Sequence, residues 1–216
     1  MLPSLDPLLH SPERLPFIKK LRCLLEDHGF EDTPTLVIQC AADDTEVANL
    51  DSGEVNQALL KGCNGYNGAE WWSGFMAGRT SKVFDGVSSV DSRSEPNWVT
   101  ELHQDGHFLA AVRLMVYADL AGVHPAIVNA FTQFGELLKN LHTAAAVQAR
   151  LTLTATLVNT RDVGVLLFPQ YGQPQVRHLK RDSFEWPVYR ADSAEDVKGI
   201  CEQMGAKMSR LFPGYK

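Results

Sequence analysis

Three side chains within seven residues carry the strongest chemical signal. Glu101, His103 and His107 stand in the stretch "ELHQDGHFLAAV". Two imidazoles and a carboxylate are a ligand set for zinc, iron or another divalent metal. They are also a general acid–base set, because histidine titrates near neutral pH. Either chemistry requires all three on one surface, so the local fold decides.

Two hairpin geometries are available. A two-residue Asp105-Gly106 turn sets His103 opposite Phe108 and leaves both sheet faces mixed. A three-residue loop, Gln104-Asp105-Gly106, sets His103 opposite His107, with Gly106 in the left-handed region. One face then carries Trp98, Thr100, Leu102, Phe108, Ala110, Val112 and Leu114. The other carries Val99, Glu101, His103, His107, Leu109, Ala111 and Arg113. Burial of one face sets register, and only the second geometry segregates the apolar residues. It places the opposed histidines roughly 5 Å apart at Cβ. The simpler expectation for such a polar face at a hairpin tip is a solvated one, and the site is the sharper alternative.

A second candidate is the segment from Cys63 to Arg79, with glycines at 65, 68, 74 and 78. Trp71 and Trp72 could stack on a planar ligand, and glycine amides can approach phosphate. The segment lacks the Lys-Ser/Thr of a nucleotide loop and does not fit Gly-x-Gly-x-x-Gly. Asn64-Gly65 and Asn67-Gly68 are turn dipeptides first. Arg177, His178, Lys180 and Arg181 read as a solvated basic turn. No Gly-x-Ser-x-Gly is present, and Cys40, ending "TLVIQC", reads as a small buried hydrophobe.

The elements that must position these residues follow from periodicity. Ser11-Pro12 or Pro16 opens a first helix, with Phe17, Leu21, Leu24 and Leu25 on one face and Gly29 as its stop. "TLVIQC" is a short buried strand. A helix starts near Ser52. "SKVFDGVSSVDSRSEPNW" reads as a strand and a polar loop. The helix after Pro125 repeats Ile127, Phe131, Phe134, Leu138 and Leu141 at helical spacing. In "RLTLTATLVNTRDVGVLLFP", Leu151, Leu153 and Ala155 alternate with threonines, the pattern of a half-buried strand; a second strand follows a turn at Asn159 to Asp162. Ser193 can cap a last helix.

These elements predict an α+β fold, with an antiparallel or mixed sheet built from hairpins and helices packed mainly on one face. The expected organisation is a single domain over residues 1–216. The chain has 216 residues, 44% hydrophobic and 21% charged, enough for a substantial core. A net charge of −6 disfavours a nucleic-acid partner. No basic n-region precedes an apolar run, no stretch is apolar enough for a membrane span, and no cysteine pair has metal spacing. A soluble, cytoplasmic protein is expected, with no cofactor identified and no oligomeric state specified.

The functional expectation is a non-catalytic, regulatory binding module for a small molecule or protein partner, with Trp71, Trp72, Glu101, His103 and His107 as the ligand-binding residues. The alternative is an enzyme. One form is a metal-dependent hydrolase using Glu101, His103 and His107. The other is a divergent acyl-CoA-dependent acyltransferase, which the element order permits; however, "GVHPAIVNAF" offers no evident glycine-rich cradle for the cofactor's pyrophosphate.

Overall fold

The computed structural model describes residues 14–43, 48–61, 75, 78–114, 116–117, 120–121, 124–167 and 175–211. In chain order the elements are α1 (Leu15–Asp27), β1 (Thr35–Ala42), α2 (Gly53–Lys61), β2 (Arg79–Val83), β3 (Gly86–Val90), β4 (Trp98–His103), β5 (Phe108–Arg113), β6 (Val116–Tyr117) and β7 (Leu120–Ala121). They continue with α3 (His124–Ala144), β8 (Leu151–Val158), β9 (Gly164–Leu167), β10 (Gln175–His178), β11 (Ser183–Glu185), β12 (Tyr189–Ala191) and α4 (Val197–Leu211). The fold is α+β, as expected.

The main sheet has eight strands in the order β11-β8-β1-β5-β4-β3-β2, with β12 also paired to β8. Every pairing in it is antiparallel. A smaller sheet runs β10-β9-β7-β6 and contains one parallel pair, β7 with β9.

Three helices share one face of the main sheet. Val55 and Leu59 of α2, Phe131, Phe134, Leu138 and Leu141 of α3, and Val197, Cys201 and Met204 of α4 join Leu36, Ile38, Leu102 and Phe108 in one core. Helix α1 covers the other face: Ile18, Leu21, Leu24 and Leu25 pack on Val37, Val99, Leu109, Ala111 and Val158. This two-sided cover explains why "TLVIQC" does not alternate. Residues on both faces of β1 are buried.

The start and stop of α1 have local causes. Pro16 sits in the first turn, where no backbone donor is needed. Gly29 takes φ 68, the Phe30 amide donates to the Leu25 carbonyl at 2.8 Å, and the Gly29 amide donates to Glu26 at 3.4 Å. This is the glycine-terminated Schellman arrangement, and it leaves His28 as the helix's last capping residue. Ser11 and Pro12 lie outside the described residues, as do Cys63, Trp71 and Trp72.

Three local expectations change. "SKVFDGVSSV" is a hairpin, β2 and β3, rather than a strand and loop: Val83 pairs with Gly86 around Phe84-Asp85. The threonine face of β8 is covered, with Thr154 2% and Thr156 3% exposed, and Thr154 Oγ1 donates to the Trp186 carbonyl at 3.3 Å. The strands flanking the Asn159–Asp162 turn enter different sheets, and Asn159 and Asp162 both take positive φ to redirect the chain.

Candidate functional site

The β4–β5 hairpin has the three-residue loop. Trp98 pairs with Val112 and Leu102 with Phe108, the His103 amide donates to the His107 carbonyl at 2.9 Å, and Gly106 takes φ 70. His103 and His107 therefore face each other, with ring centroids 6.5 Å apart. The loop is tied down from several sides. The Ala48 amide donates to the Gln104 carbonyl at 2.8 Å, the Gln104 amide donates to the Asp85 carbonyl at 2.7 Å, and the Asp105 carboxylate accepts the His107 amide at 3.0 Å. From α3, His142 reaches the Gly106 carbonyl through Nε2 at 3.2 Å.

The polar face is not solvated. Helix α1 lies over it, and Glu101, His103 and His107 are 3%, 6% and 2% exposed. Charged groups so placed need partners, and α1 and the β2–β3 turn supply them. Glu101 Oε1 meets His28 Nε2 at 2.7 Å, and Oε2 meets His103 Nε2 at 3.1 Å. His103 Nδ1 meets Asp85 Oδ1 at 2.5 Å. Lys20 Nζ lies 2.8 Å from Asp85 Oδ2 and 3.2 Å from Asp105 Oδ2. Residues 20, 28, 85 and 105 thus complete a continuous chain of charge-assisted contacts from helix to sheet.

The network sets protonation. Burial opposes ionisation of Glu101, but hydrogen bonds from His103 and His28 outweigh it and hold its pKa near 2. Burial also opposes ionisation of Asp85, yet Lys20 and His103 bring it to about 2. For His103, burial disfavours the charge, while the two carboxylates favour it more strongly and raise its pKa above 6.5. With a carboxylate at each nitrogen, the protonated ring of His103 donates to both. In that form it offers no lone pair to a metal. Among the described residues, no group of three or more His, Cys, Asp or Glu side chains is disposed to hold a metal ion.

His107 behaves differently. Burial drives its pKa down to about 3, so it is a neutral ring at physiological pH. Phe17 of α1 packs edge-on against it, with ring centroids 5.2 Å apart. Its Nε2 is buried and has no hydrogen-bond partner. An orphaned buried polar atom costs about 1–3 kcal/mol.

His107 also forms part of the wall of a cleft of about 380 Å³. Pro16 and Phe17 line it from α1, Ala41, Ala42 and Asp43 from the end of β1, Thr152 from β8, Val188 and Arg190 from the β12 side, and Asp105 from the hairpin loop. The register explains this assembly, since Ala41 pairs with Thr152 and Thr152 with Arg190. The Asp43 carboxylate accepts from Thr152 Oγ1 at 2.7 Å.

Sequence spacing brought Glu101, His103 and His107 onto one face. It did not indicate Lys20, His28, Asp85 or Arg190, which arrive through tertiary packing. Asp85-Gly86 was the one readable signal, as a turn dipeptide. Comparison of the chain with protein-family models, with curated proteins and with solved structures found no match. No helix among the described residues is long and apolar enough to cross a membrane.

Proposed function

We propose that this chain is a non-catalytic, cytoplasmic binding module for a small molecule, and that the ligand occupies the cleft between the first turn of α1 and the main sheet. The observation that carries the reading is His107, a neutral buried ring in the cleft wall whose Nε2 lacks a partner. A volume of about 380 Å³ falls in the range of small-molecule sites, which combine apolar walls with a few placed polar groups. The thiols of Cys23, Cys40 and Cys201 are unpaired, in keeping with a reducing compartment.

The charged network favours binding over catalysis. A general acid or base must come within hydrogen-bond reach of the substrate proton. Glu101 and His103 instead spend their polar atoms on each other, on His28 and on Asp85, beneath α1. Their role in this reading is to seat α1, so that Pro16 and Phe17 form the cleft wall.

The test is a metabolite panel screened by thermal shift, with histidine imidazole resonances followed by NMR. A ligand of the cleft raises the melting temperature in proportion to occupancy and moves the His107 signals more than those of His178, which is exposed on β10. Turnover of any panel compound, lost in His107→Ala, would overturn the non-catalytic reading. Binding that leaves the His107 signals in place would overturn the location.

A further inference from the structure

The cleft wall carries charges of both signs. Strand β1 runs antiparallel to β5, and β5 antiparallel to β4, so β1 and β4 end at the same edge of the sheet. Asp43 follows β1, and Asp105 follows β4 within the hairpin loop. Both line the cleft beside His107. Arg190 is reached by the step from β1 to β8 and then to β12, and its direct cross-strand partner, Thr152, is the residue that donates to Asp43. Strands about 4.8 Å apart put roughly 10 Å of backbone between the Asp43 and Arg190 strands, and the long arginine side chain shortens that span. Between the charges the walls are apolar: Pro16, Phe17, Ala41, Ala42 and Val188.

We infer that the ligand is a small zwitterion of amino-acid to dipeptide size, its ammonium held between Asp43 and Asp105 and its carboxylate held at Arg190. The inference rests on the binding-module reading and names the ligand class for that cleft. The aspartates keep acceptor capacity. Asp43 takes one hydroxyl, and Asp105 takes one amide and shares Lys20 with Asp85, whereas an ionised carboxylate has about four acceptor positions. The Arg190 guanidinium has five donors in a fork that matches a carboxylate, and it can use them beside the contacts it already makes. The Phe17 ring adds a face or edge for the apolar part of the ligand. The His107 ring forms part of the same wall.

Blocked analogues test the assignment. Probes are L-leucine, alanyl-alanine and δ-aminovalerate, compared with N-acetyl-leucine, which lacks the ammonium, and leucinamide, which lacks the carboxylate. Binding to the full chain is read by calorimetry and by the His107 imidazole resonances. The zwitterions should bind, and each blocked form should bind roughly tenfold or more weakly, the usual effect of deleting a hydrogen bond to a charged group. Arg190→Gln should weaken L-leucine by a similar factor and leave leucinamide unchanged. Asp43→Asn should weaken both; if that variant does not fold, the Arg190→Gln comparison decides alone. Equal binding of blocked and free forms, equal loss of leucine and leucinamide in Arg190→Gln, or no binding by any of the three zwitterions overturns the inference. In that last case, a different panel compound that moves His107 leaves the binding-module reading standing, and a panel that never moves His107 removes both.

Discussion

His103 and His107 oppose each other across one hairpin, yet the fold drives their protonation in opposite directions. His103 lies between Glu101 and Asp85, which raise its pKa above 6.5 despite burial. Burial lowers the pKa of His107 to about 3, with the nearby Lys20 and His103 charges adding to the shift. Hydrogen-bonded carboxylates make the difference. Glu101 of β4 and Asp85 of the β2–β3 turn bond both nitrogens of His103, whereas α1 packs Phe17 against His107.

These shifts fix how stability depends on pH. His103 contributes stability that is full below pH 6.5 and is lost as pH rises through its raised folded value. His107 and His142 act oppositely: burial lowers their folded values to about 3 and about 4, so their contribution is full above pH 6.5 and falls as pH drops. Glu101 and Asp85 add to the acid loss only further down, as pH falls from their ordinary values toward 2. Stability should therefore fall on acidification from pH 6.5 to 4, with His142 alone accounting for about 3 kcal/mol. Urea denaturation across that range should show a flatter profile for His142→Gln, whose amide can still donate to the Gly106 carbonyl.

Glu101 holds two imidazoles at once, and its removal should release both. Glu101→Ala should cost about 3–5 kcal/mol, the usual loss when one member of a buried ion pair is deleted. Glu101→Gln separates charge from shape. It keeps an acceptor for one ring, and the His103 pKa, followed by NMR titration, should drop toward 6.5. A His103 titration unchanged in Glu101→Gln would mean that Asp85 alone sets it.

What the sequence disclosed and what it concealed divide along physical lines. The hairpin register was readable because period-two segregation of Trp98, Leu102, Phe108 and Val112 is a local property. The core face of α3 was readable from the 3.6-residue spacing of Phe131, Phe134, Leu138 and Leu141. The covering of the polar face was not, because the apolar stripe of α1 shows that the helix must pack but not on which surface. Glu101 and His103 looked solvated for the same reason: their partners Lys20, His28 and Asp85 are distant in sequence. The β2–β3 hairpin was missed because "RTSK" is polar and exposed, with little hydrophobic alternation to reveal a strand.

Phe134 tests the opposite face. It is fully buried and stacks on Phe108 with ring centroids 5.0 Å apart and an interplanar angle of 28°. Phe134→Ala should destabilise by about 3–5 kcal/mol. A denaturant curve showing a loss under about 1 kcal/mol would be incompatible with this packing. The cleft lies across the sheet, so the His107 imidazole resonances of the folded variant should remain near their wild-type positions.

Two glycines beside the site should respond differently to alanine. Gly106 takes φ 70, which a side chain opposes by roughly 1 kcal/mol. Gly106→Ala should therefore cost about that much and leave the hairpin register intact. Gly86 meets a steric limit instead, because a Cβ there would lie 2.4 Å from the Leu102 carbonyl oxygen. Relief requires β3 to shift away from β4, and Asp85 would move with it, away from His103 Nδ1. Gly86→Ala should therefore destabilise more than Gly106→Ala and also lower the His103 pKa, because Asp85 is one of the two carboxylates that raise it. Paired denaturation curves and His103 titrations for the two variants check both outcomes. Equal losses, with an unmoved His103 pKa in Gly86→Ala, would show that the β2–β3 turn does not position Asp85 in the way the contacts indicate.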